Sequence, residues 1–555
     1  MTSVGDSEID SRVAEWLKWD QNEKTRREIQ ELVARKDVAE LRARMLGRLA
    51  FGTAGIRAKM EAGFNRLNDL VIIQVTQGMI AHMKAEFPNS SKGIAIGFDG
   101  RHNSRRFARL AANAFVLSGI KVYFFKEVTP TPLVSYATIR LNCDAGLMIT
   151  ASHNPKQDNG YKAYWSNGAQ ILGPHDATIC ELALQHQEPM KGVWDLSALD
   201  NHPLFHDAHT VIDMYFKDAA KFNYYKDINA QSSVKFAYSA FHGVGLKFTP
   251  RCLEEFGFKK SNIVLVKEQA EPDPDFPTVP FPNPEEGRQV LEMSMHTADQ
   301  NGCSIILAND PDADRFQIAE KQPNGEWRIL TGNEMGAVLS WWVWTAWRKA
   351  NPDAKTDDVY FLNSAVSSQI VKTIAAREGF NNRETLTGFK WMGNLAQELR
   401  QKGKLMLLAW EESIGFMPGD TLDKDGVLAA AMFAECCAFL AAEGLTLSDQ
   451  LLRIYKQYGF HLTRNSYFVN RDPAITAQLF TDIRHFGGTE KYPTRIGENS
   501  VKFVRDLTVG YDNEQSASDN KPVLPVSRSS EMITFTLSDG SVVTSMFNCT
   551  LTMSA

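Results

Sequence analysis

The chain has 555 residues, 43% of them hydrophobic and 23% charged, which is the composition of a soluble globular protein with room for several hydrophobic cores. We therefore expect roughly three to five domains. The formal net charge of −6, without any long basic run, argues against nucleic acid or an anionic membrane as a partner.

The cysteines and apolar runs are typical of a cytoplasmic protein. The seven cysteines are scattered, odd in number and free of C-x-x-C spacing, which favours reduced thiols over a disulfide framework or a zinc site. The acidic residues Asp6, Glu8 and Asp10 adjoin no apolar segment, so we expect no secretory signal. The longest apolar run, residues 427–445, contains two glutamates and is better explained as a buried helix than as a membrane span.

The first segment, residues 11–49, has apolar residues at three-to-four spacing with charges between them, which predicts helices. This helical lead-in, residues 1–50, ends at a turn with the sequence FGTAGIR, residues 51–57. Two glycines and a threonine beside Arg57 would expose backbone N–H groups to an anion. Glycine-rich turns of this kind also occur without a ligand, so both interpretations stay open at this point.

An order of strand, turn, helix and strand then recurs three times, as a pattern rather than as identical sequence. The first copy spans residues 93–125, and the second spans 234–266 with His242 in its turn. The third begins with a strand at 359–362 and a helix that ends before Gly379, and its next strand is not evident. Strands alternating with helices in this way predict parallel α/β units.

Each copy has a later apolar strand that ends in reactive side chains; these strands are residues 146–149, 304–308 and 405–409. The side chains that follow them are, in chain order, Ser152 with His153, then Asp310, Asp312, Asp314 and Arg315, then Glu411, Glu412 and Ser413. Because loops at the carboxyl ends of strands in open α/β sheets line ligand crevices, one shared cleft is the simplest explanation.

The last part of the chain has a different pattern. A strand at 461–469, a helix at 474–486, a polar loop at 511–525 and a hairpin at Asp539-Gly540 predict a smaller α+β domain. The predicted domains are therefore the lead-in at 1–50, three α/β domains at 51–210, 211–325 and 326–455, and a C-terminal α+β domain at 456–555.

Asp310, Asp312 and Asp314 place three carboxylates within five residues. In a tight loop, favoured here by Pro311, they can converge on one ion, and oxygen-only ligands favour a hard cation such as Mg²⁺. A solvated acidic loop is the alternative, although the apolar strand before it argues against an exposed face. An EF-hand is excluded because its glycine and its final glutamate are missing.

Ser152 could be a nucleophile or part of a polar turn closed by Asn154-Pro155. A hydrolase is a poor fit, because there is no G-x-S-x-G elbow and His153 is constrained against acting as base to its own neighbour. Phosphoryl transfer fits better, because it needs a metal and cationic groups around the moving phosphoryl and acid–base groups at the acceptor hydroxyl.

Five ordered motifs carry a family resemblance: TASHNP (150–155), NGYK (159–162), DPDADR (310–315), GFKWMG (388–393) and WEESIG (410–415). With them the chain, from about residue 51 to 543, resembles the α-D-phosphohexomutases, in particular the phosphoglucomutase-2 / phosphopentomutase branch. The resemblance implies a four-domain, heart-shaped architecture of three similar α/β domains around one cleft plus a C-terminal α+β domain. It also implies a cytoplasmic enzyme, expected as a monomer, whose partners are small sugar phosphates.

The implied reaction is a Mg²⁺-dependent interconversion of pentose (ribose or deoxyribose) or glucose 1-phosphate with the 5- or 6-phosphate. A phosphoserine gives its phosphoryl to the sugar phosphate, and the resulting sugar bisphosphate, which also serves as activator, returns its other phosphate. By motif, Ser152 would carry the phosphate and hold one Mg²⁺ together with Asp310, Asp312 and Asp314.

The remaining roles also come from the resemblance. Arg315 would steady the transferring group, and Glu411 and Ser413 would bind sugar hydroxyls. The candidates for proton transfer, charge stabilisation or substrate binding are Arg57, His153, Lys162, Lys390 and His242. For the two lysines the alternative is a solvated surface position, and for His242 it is a capped turn.

The family closes its site with an R-T-S-G-T-E-P-like phosphate-binding loop in the last domain. This sequence has no such loop after the strand at 533–543, and Arg528-Ser529-Ser530 is no substitute, because it lies upstream without the glycine or a following threonine. The missing loop supports one alternative, a catalytically weak isoform that binds sugar phosphate or partner proteins. A second alternative keeps the same phosphoserine and is a glucose-1,6-bisphosphate synthase fed by a glycolytic acyl phosphate, which no motif distinguishes from the mutase.

Overall fold

The computed structural model describes residues 3–52, 55–466, 470, 472–486, 488, 491–527 and 531–547. It divides into two compact units. The first contains the described residues up to Glu384 together with Gly388–His461, and the second contains Thr385–Thr387 and the described residues from Leu462 onward. Apart from residues 385–387, the three predicted α/β domains lie in the first unit.

The predicted lead-in forms three helices: α1 (Ser7–Trp19), α2 (Glu23–Ala34) and α3 (Val38–Met45). The residue before each helix, Asp6, Asn22 or Asp37, accepts backbone N–H groups of its first turn, which are otherwise without partners. The apolar face of the helices, including Trp16, Ile29 and Leu41, is buried in the same hydrophobic cluster as the first sheet.

The first α/β region is built on a six-stranded sheet with the order β1-β5-β4-β2-β3-β6. The four strands β4, β2, β3 and β6 are parallel, whereas β5 runs antiparallel to both β4 and β1. Its elements are β1 (Ile56–Lys59), α4 (Asp69–Glu86), β2 (Ile94–Phe98), α5 (Ser104–Leu117), β3 (Val122–Phe124), α6 (Thr131–Arg140), β4 (Ala145–Ile149), β5 (Asp158–Trp165), α7 (His175–Gln185) and β6 (Phe205–Asp207).

The second region has five strands in the order β11-β10-β9-β7-β8, with β7, β8 and β9 parallel. Two helices, α8 (Thr210–Ala219) and α9 (Lys226–Gln231), lead into it. Its elements are β7 (Phe236–Ser239), α10 (Thr249–Glu255), β8 (Ile263–Leu265), α11 (Arg288–Asn301), β9 (Ile305–Asn309), β10 (Phe316–Lys321) and β11 (Trp327–Ile329).

The third region has the strand order β13-β12-β14-β15. The strand that the sequence left unassigned in this copy is β13. The elements are α12 (Gly332–Ala350), β12 (Val359–Ser364), α13 (Ile370–Glu378), β13 (Asn381–Thr385), α14 (Phe389–Gln401), β14 (Leu405–Glu411), β15 (Gly415–Pro418), α15 (Gly426–Ala442) and α16 (Leu447–Tyr458).

The three regions share one hairpin that the sequence pattern did not reveal. In each, the strand that ends in reactive side chains, β4, β9 or β14, is followed by an antiparallel strand, β5, β10 or β15. Each connecting loop contains one non-glycine residue in the left-handed region: Ser152 (φ +52°), Ala313 (φ +53°) and Ile414 (φ +53°). The recurrence of this turn shows that the three strand ends are structurally equivalent.

The apolar run at 427–445 forms α15 and is buried in the core that the second and third regions share, as predicted. Among the described residues, no single helix is long and apolar enough to cross a membrane; α15 and α16 meet the length and composition criteria only as a pair bent by 88°.

The second unit contains α17 (Pro473–Arg484), β16 (Arg495–Ile496), β17 (Asn499–Asp506), β18 (Tyr511–Asp512), β19 (Met532–Leu537) and β20 (Val542–Met546). The hairpin at Asp539-Gly540 is confirmed, because β19 and β20 pair antiparallel around it. The strand predicted at 461–469 is wrong for residues 461–466, which form no regular structure. Within the described part of the chain no strand pairs with these residues, and Leu462 is exposed, so the apolar side of the alternating pattern is not buried. Residues 467–469, 528–530 and 548–555 lie outside the described part of the chain.

Candidate active site

Ser152 lies in the loop after β4, buried at 1% exposure. Its backbone N–H donates to Thr150 Oγ1 at 2.8 Å, and its hydroxyl Oγ donates to Asp310 Oδ2 at 2.8 Å. The nitrogen His153 Nδ1 is 3.3 Å from Oγ, longer than a good proton-transfer hydrogen bond. The serine is therefore directed toward the second region, not toward its own histidine, as the sequence suggested.

Asp310, Asp312 and Asp314 converge on one point, where one oxygen from each lies within 4.8 Å of the others. A tight turn closes the loop, with Ala313 N–H donating to Asp310 O at 2.9 Å. Oδ1 of Asp312 and Oδ1 of Asp314 are buried and find no hydrogen-bond partner in the described chain. Buried carboxylate oxygens without donors are costly, and a hard cation would satisfy them. The donor set therefore fits Mg²⁺.

Two buried lysines balance these carboxylates. Lys162, on β5, donates to Asp312 Oδ2 at 2.7 Å and to Asp314 Oδ2 at 2.8 Å. Lys424 Nζ lies 3.2 Å from Asp314 Oδ2 and 3.3 Å from Asp423 Oδ1. Burial by itself lowers the pKa of each ammonium, but the adjacent carboxylates outweigh it and raise both pKa values. Both lysines are therefore held as cations.

We call these six side chains the serine–aspartate cluster: Ser152, Lys162, Asp310, Asp312, Asp314 and Lys424. Within it, the pKa of Asp310 is raised by burial and by the charges of the other two aspartates. The pKa values of Asp312 and Asp314 are lowered, because the lysines outweigh the cost of burial. Asp310, the aspartate that accepts from Ser152, is thus the least readily ionised of the three.

Arg315 connects the second region to the third. Its backbone N–H donates to Asp310 Oδ1 at 2.9 Å, and its guanidinium donates to Glu285 Oε2 at 2.5 Å. Its backbone forms a β-bridge with Gly415, the first residue of β15. Through these contacts, Arg315 holds the aspartate loop that follows β9 next to the loop between β14 and β15.

His153 and Arg57 lie beside the cluster. Burial, and then the positive charges of Arg315 and Arg57, hold the pKa of the His153 imidazole well below its usual range, so the ring is neutral at pH 7. Arg57, on β1, donates to Asn154 Oδ1 at 3.0 Å. Burial lowers its pKa, and the negative charges of Asp312 and Asp314 partly oppose that effect.

Two glutamates, Glu411 at the end of β14 and Glu412 directly after it, have raised pKa values. Glu411 accepts from the backbone N–H of Gly388, and burial, followed by the charge of Glu412, raises its pKa to about 7. Glu412 accepts from Ser367 Oγ at 2.7 Å and Ser364 Oγ at 3.1 Å. Near neutral pH, Glu411 can therefore both donate to and accept from a hydroxyl.

Lys390 is on α14 and lines a small cavity with Gly52, Gly55 and Gln170. Burial lowers its pKa, and no residue of the described chain hydrogen-bonds its ammonium. Gly55 is required there, because its φ is +91° and a Cβ would lie 2.5 Å from the carbonyl oxygen of Tyr161. The glycine turn predicted from the sequence thus faces a cationic side chain from the third region.

Three family models match this chain, for the α/β/α domains I, II and III of phosphoglucomutase/phosphomannomutase, at residues 48–190, 213–325 and 331–458. The chain belongs to this family. That confirms the resemblance to the phosphohexomutases. It is 48% identical over 549 residues to mouse phosphopentomutase, covering 97% of this chain and 88% of that protein. It is 43% identical over 551 residues to human glucose 1,6-bisphosphate synthase, covering 98% and 88%.

The fold of this phosphoglucomutase/phosphomannomutase family member is also that of a solved relative. The open form of pp63/parafusin, a phosphoglucomutase from Paramecium, superposes with a TM-score of 0.64 at 20% identity, covering 90% of this chain and 87% of that chain. The multi-domain α/β architecture predicted from the sequence is therefore confirmed, and the C-terminal unit contains a sheet, as expected.

Most of the site residues predicted for this family member lie close together in the structure, but not all of them do. The His242 ring bonds Thr278 Oγ1 at 2.8 Å, whereas only the backbone of the next residues touches the aspartate loop. Ser413 is half-buried in the Glu411 loop and makes no hydrogen bond within the described residues. Lys424 was missed, although its setting, an Asp-Lys-Asp triplet directly before the most apolar helix, was a usable signal.

Proposed function

We propose that this chain is a phosphosugar mutase that moves a phosphoryl group between Ser152 and two hydroxyl positions of a pentose phosphate, with Mg²⁺ as cofactor. As a family member the chain is a phosphotransferase, and its similarity to a phosphopentomutase at 48% identity supports the pentose. A sugar bisphosphate is the proposed intermediate and activator. The cytoplasmic location and the monomeric state stay predictions from the sequence.

One observation carries the proposal. The Ser152 hydroxyl is 2.8 Å from Asp310, in a loop of three buried aspartates whose unpartnered oxygens suit a hard cation. A phosphate on Oγ would lie next to the aspartates that would hold that cation and that pair with two lysines, and phosphoryl transfer requires such positive charge around the phosphoryl group. A hydrolytic serine would need a close base, and His153 is too distant to serve.

The Mg²⁺ ligands would be Asp310, Asp312, Asp314 and the phosphate on Ser152. When bound, the metal would neutralise charge on the phosphoryl oxygens. In the transfer, the P–Oγ bond of phosphoserine breaks and a P–O bond to the sugar hydroxyl forms. Lys162 and Lys424, held as cations, stabilise the negative charge that develops on Oγ.

The proton of the attacking hydroxyl needs an acceptor near the cluster. Neutral His153, beside Arg315 and Arg57, can take it, and the resulting imidazolium can return it when the sugar bisphosphate gives back its second phosphate. Glu411 and Ser413 are proposed to hold sugar hydroxyls, and Arg57 and Lys390 to hold the phosphate that does not react.

The test measures turnover of ribose 1-phosphate to ribose 5-phosphate by ³¹P NMR, with a trace of sugar bisphosphate. We expect EDTA to abolish turnover and Mg²⁺ to restore it, with phosphate found on Ser152 by mass spectrometry. Ser152→Ala should be inactive, whereas Ser340→Ala, which truncates a buried serine whose Oγ has no partner in the described chain, should stay active. An active Ser152→Ala variant would remove Ser152 as phosphate carrier.

The relative at 43% identity supports one second candidate, a synthase of glucose 1,6-bisphosphate that uses the same phosphoserine. Glucose 1-phosphate with a glycolytic acyl phosphate is the discriminating substrate pair. Net bisphosphate formation from that pair, without turnover of ribose 1-phosphate, would replace the mutase by the synthase. Absence of both reactions, with no phosphate on Ser152, would overturn the enzyme proposal.

A further inference from the structure

Arg101 occupies the strand end beside the one that carries Ser152. Strands β2 and β4 are parallel neighbours, with Phe98 opposite Ile149, and Asp99 N–H donates to Ile149 O at 3.1 Å. The turn that follows β2 therefore runs alongside the serine loop. In the sequence, this turn gave no sign of a functional residue.

The guanidinium of Arg101 donates only to the backbone of the serine loop. Its two terminal nitrogens bind four carbonyl oxygens: those of Ser152, of Asn154 at 2.5 Å, of Pro155 at 2.9 Å and of Asp158 at 3.2 Å. A planar fork with fixed donor directions can hold several acceptors in one arrangement, which a lysine ammonium cannot do in the same way.

Its own position is set from two further sides. Asp99 Oδ2 lies 3.3 Å from Arg101 Nε, and both side chains are fully buried. The ring of Phe276, in the loop before α11, lies 5.0 Å from the guanidinium carbon. Arg101 is thus held between the first and second regions, the same two regions that the Ser152–Asp310 hydrogen bond joins.

The loop needs such an anchor. Ser152 has a φ of +52°, a conformation that a residue with a side chain adopts only when its surroundings enforce it. The backbone–backbone hydrogen bonds inside the loop are short-range turns, from Asn154 N–H to Ala151 O at 3.0 Å and from Asp158 N–H to Pro155 O at 3.0 Å, and the Asn154 side chain donates to Asp158 Oδ2 at 3.0 Å. The guanidinium of Arg101 holds carbonyl oxygens at both ends of residues 152–158 in one arrangement.

We propose that Arg101 is a positioning residue for the phosphate-carrying serine: it fixes the backbone of residues 152–158 so that Ser152 Oγ is directed at Asp310. This inference rests on the proposed function. Arg101 makes no hydrogen bond to Oγ or to the aspartate side chains, so it acts through the loop and not on the reacting atoms. The magnesium site should therefore survive its loss.

The test compares Arg101→Lys with Arg26→Lys. Arg26 likewise donates to two carbonyl oxygens, of Leu17 and Asp20, but between the first two helices. In Arg101→Lys we expect amide hydrogen exchange in 150–158 to accelerate at least about tenfold. We expect phosphorylation of Ser152 by sugar bisphosphate in a single turnover to slow about a hundredfold, as a small misplacement can. Magnesium affinity and the KM of the sugar phosphate should change less than about threefold, and Arg26→Lys should behave as wild type.

Wild-type exchange and phosphorylation rates in Arg101→Lys would overturn the proposal. A slow variant with unchanged exchange would also overturn it, because the arginine would then affect phosphorylation without holding the loop in place. If Arg101→Lys does not fold, Phe276→Leu decides, since it only loosens the guanidinium: faster exchange and slower phosphorylation support positioning, and wild-type values refute it. The exchange measurement needs no turnover, so failure of the proposed function, seen as no phosphorylation of the wild-type protein, is recognised separately.

Discussion

Glu435 provides a test of how burial controls ionisation in this fold. It lies inside α15 with no exposed surface. Its Oε1 accepts from Tyr225 N–H at 2.8 Å and from Asn229 Nδ2 at 3.2 Å, whereas Oε2 has no partner among the described residues. Burial raises its pKa to about 7 from an ordinary value of 4.5. Glu435→Gln replaces the carboxyl by a neutral group of the same shape.

The magnitude follows from that shift. The folded pKa is raised, so the contribution of Glu435 to stability is complete below pH 4.5, is progressively lost above it, and is gone once the pH passes about 7. A shift of about 2.5 units corresponds to roughly 3 kcal/mol at 1.36 kcal/mol per unit. Glutamine does not titrate, so the free energy of unfolding of the variant relative to wild type should rise by about 3 kcal/mol between pH 4.5 and pH 7.5.

The assay is urea unfolding at both pH values, followed by tryptophan fluorescence, for wild type and variant. Other titrating groups, such as Asp425 with its pKa raised to about 6, cancel in the difference. Glu443→Gln, which makes the same replacement at an exposed position at the end of the same helix, is the control for the loss of a carboxyl group outside the core. A difference for Glu435→Gln that stays constant within about 0.5 kcal/mol would mean that Glu435 is ionised in the folded protein, and the reasoning would fail.

Three further predictions concern the site. Gly332→Ala should destabilise by about 3 kcal/mol or more, because its Cβ would lie 1.8 Å from the carbonyl oxygen of Glu412; unchanged urea stability would contradict this. Tyr164→Phe removes a buried 2.7 Å hydrogen bond to Asp423 and should cost about 1–3 kcal/mol in the same assay; an unchanged free energy of unfolding would contradict this. Lys162→Met removes the buried cation that pairs with Asp312 and Asp314, and without metal it should lower the free energy of unfolding by about 3–5 kcal/mol. Because a bound cation would replace the lost positive charge, magnesium should raise the melting temperature of the Lys162→Met variant more than that of wild type. An equal or smaller rise would be evidence against the metal site.

Short-range features of the sequence were sufficient for most of the fold. Buried parallel strands appear as apolar runs, and helices as periodic ones, so the ends of β4, β9 and β14 were located to within a few residues. The site residues at these ends, Ser152, the three aspartates and Glu411, follow directly, because the carboxyl end of a strand is visible locally as the point where apolar residues stop.

The strand at 461–469 was predicted incorrectly for a related reason. A strand is stable only when another strand pairs with it, and nothing in the local pattern of residues 461–466 records whether a partner exists. The same limit left β13 unassigned, since all five of its residues are polar or charged and it is a strand because it pairs with its neighbour in the sheet, β12.

The sequence by itself determined which strands are followed by reactive side chains, and only the tertiary structure decided which of those side chains come into contact. Ser152 and Asp310 are 158 positions apart, and Lys424 reaches Asp314 from the third region. Their meeting depends on the packing of separate sheets, which no local periodicity encodes. Arg101 is the strongest case: its four acceptors are backbone carbonyls whose arrangement exists only once β2 and β4 are neighbours.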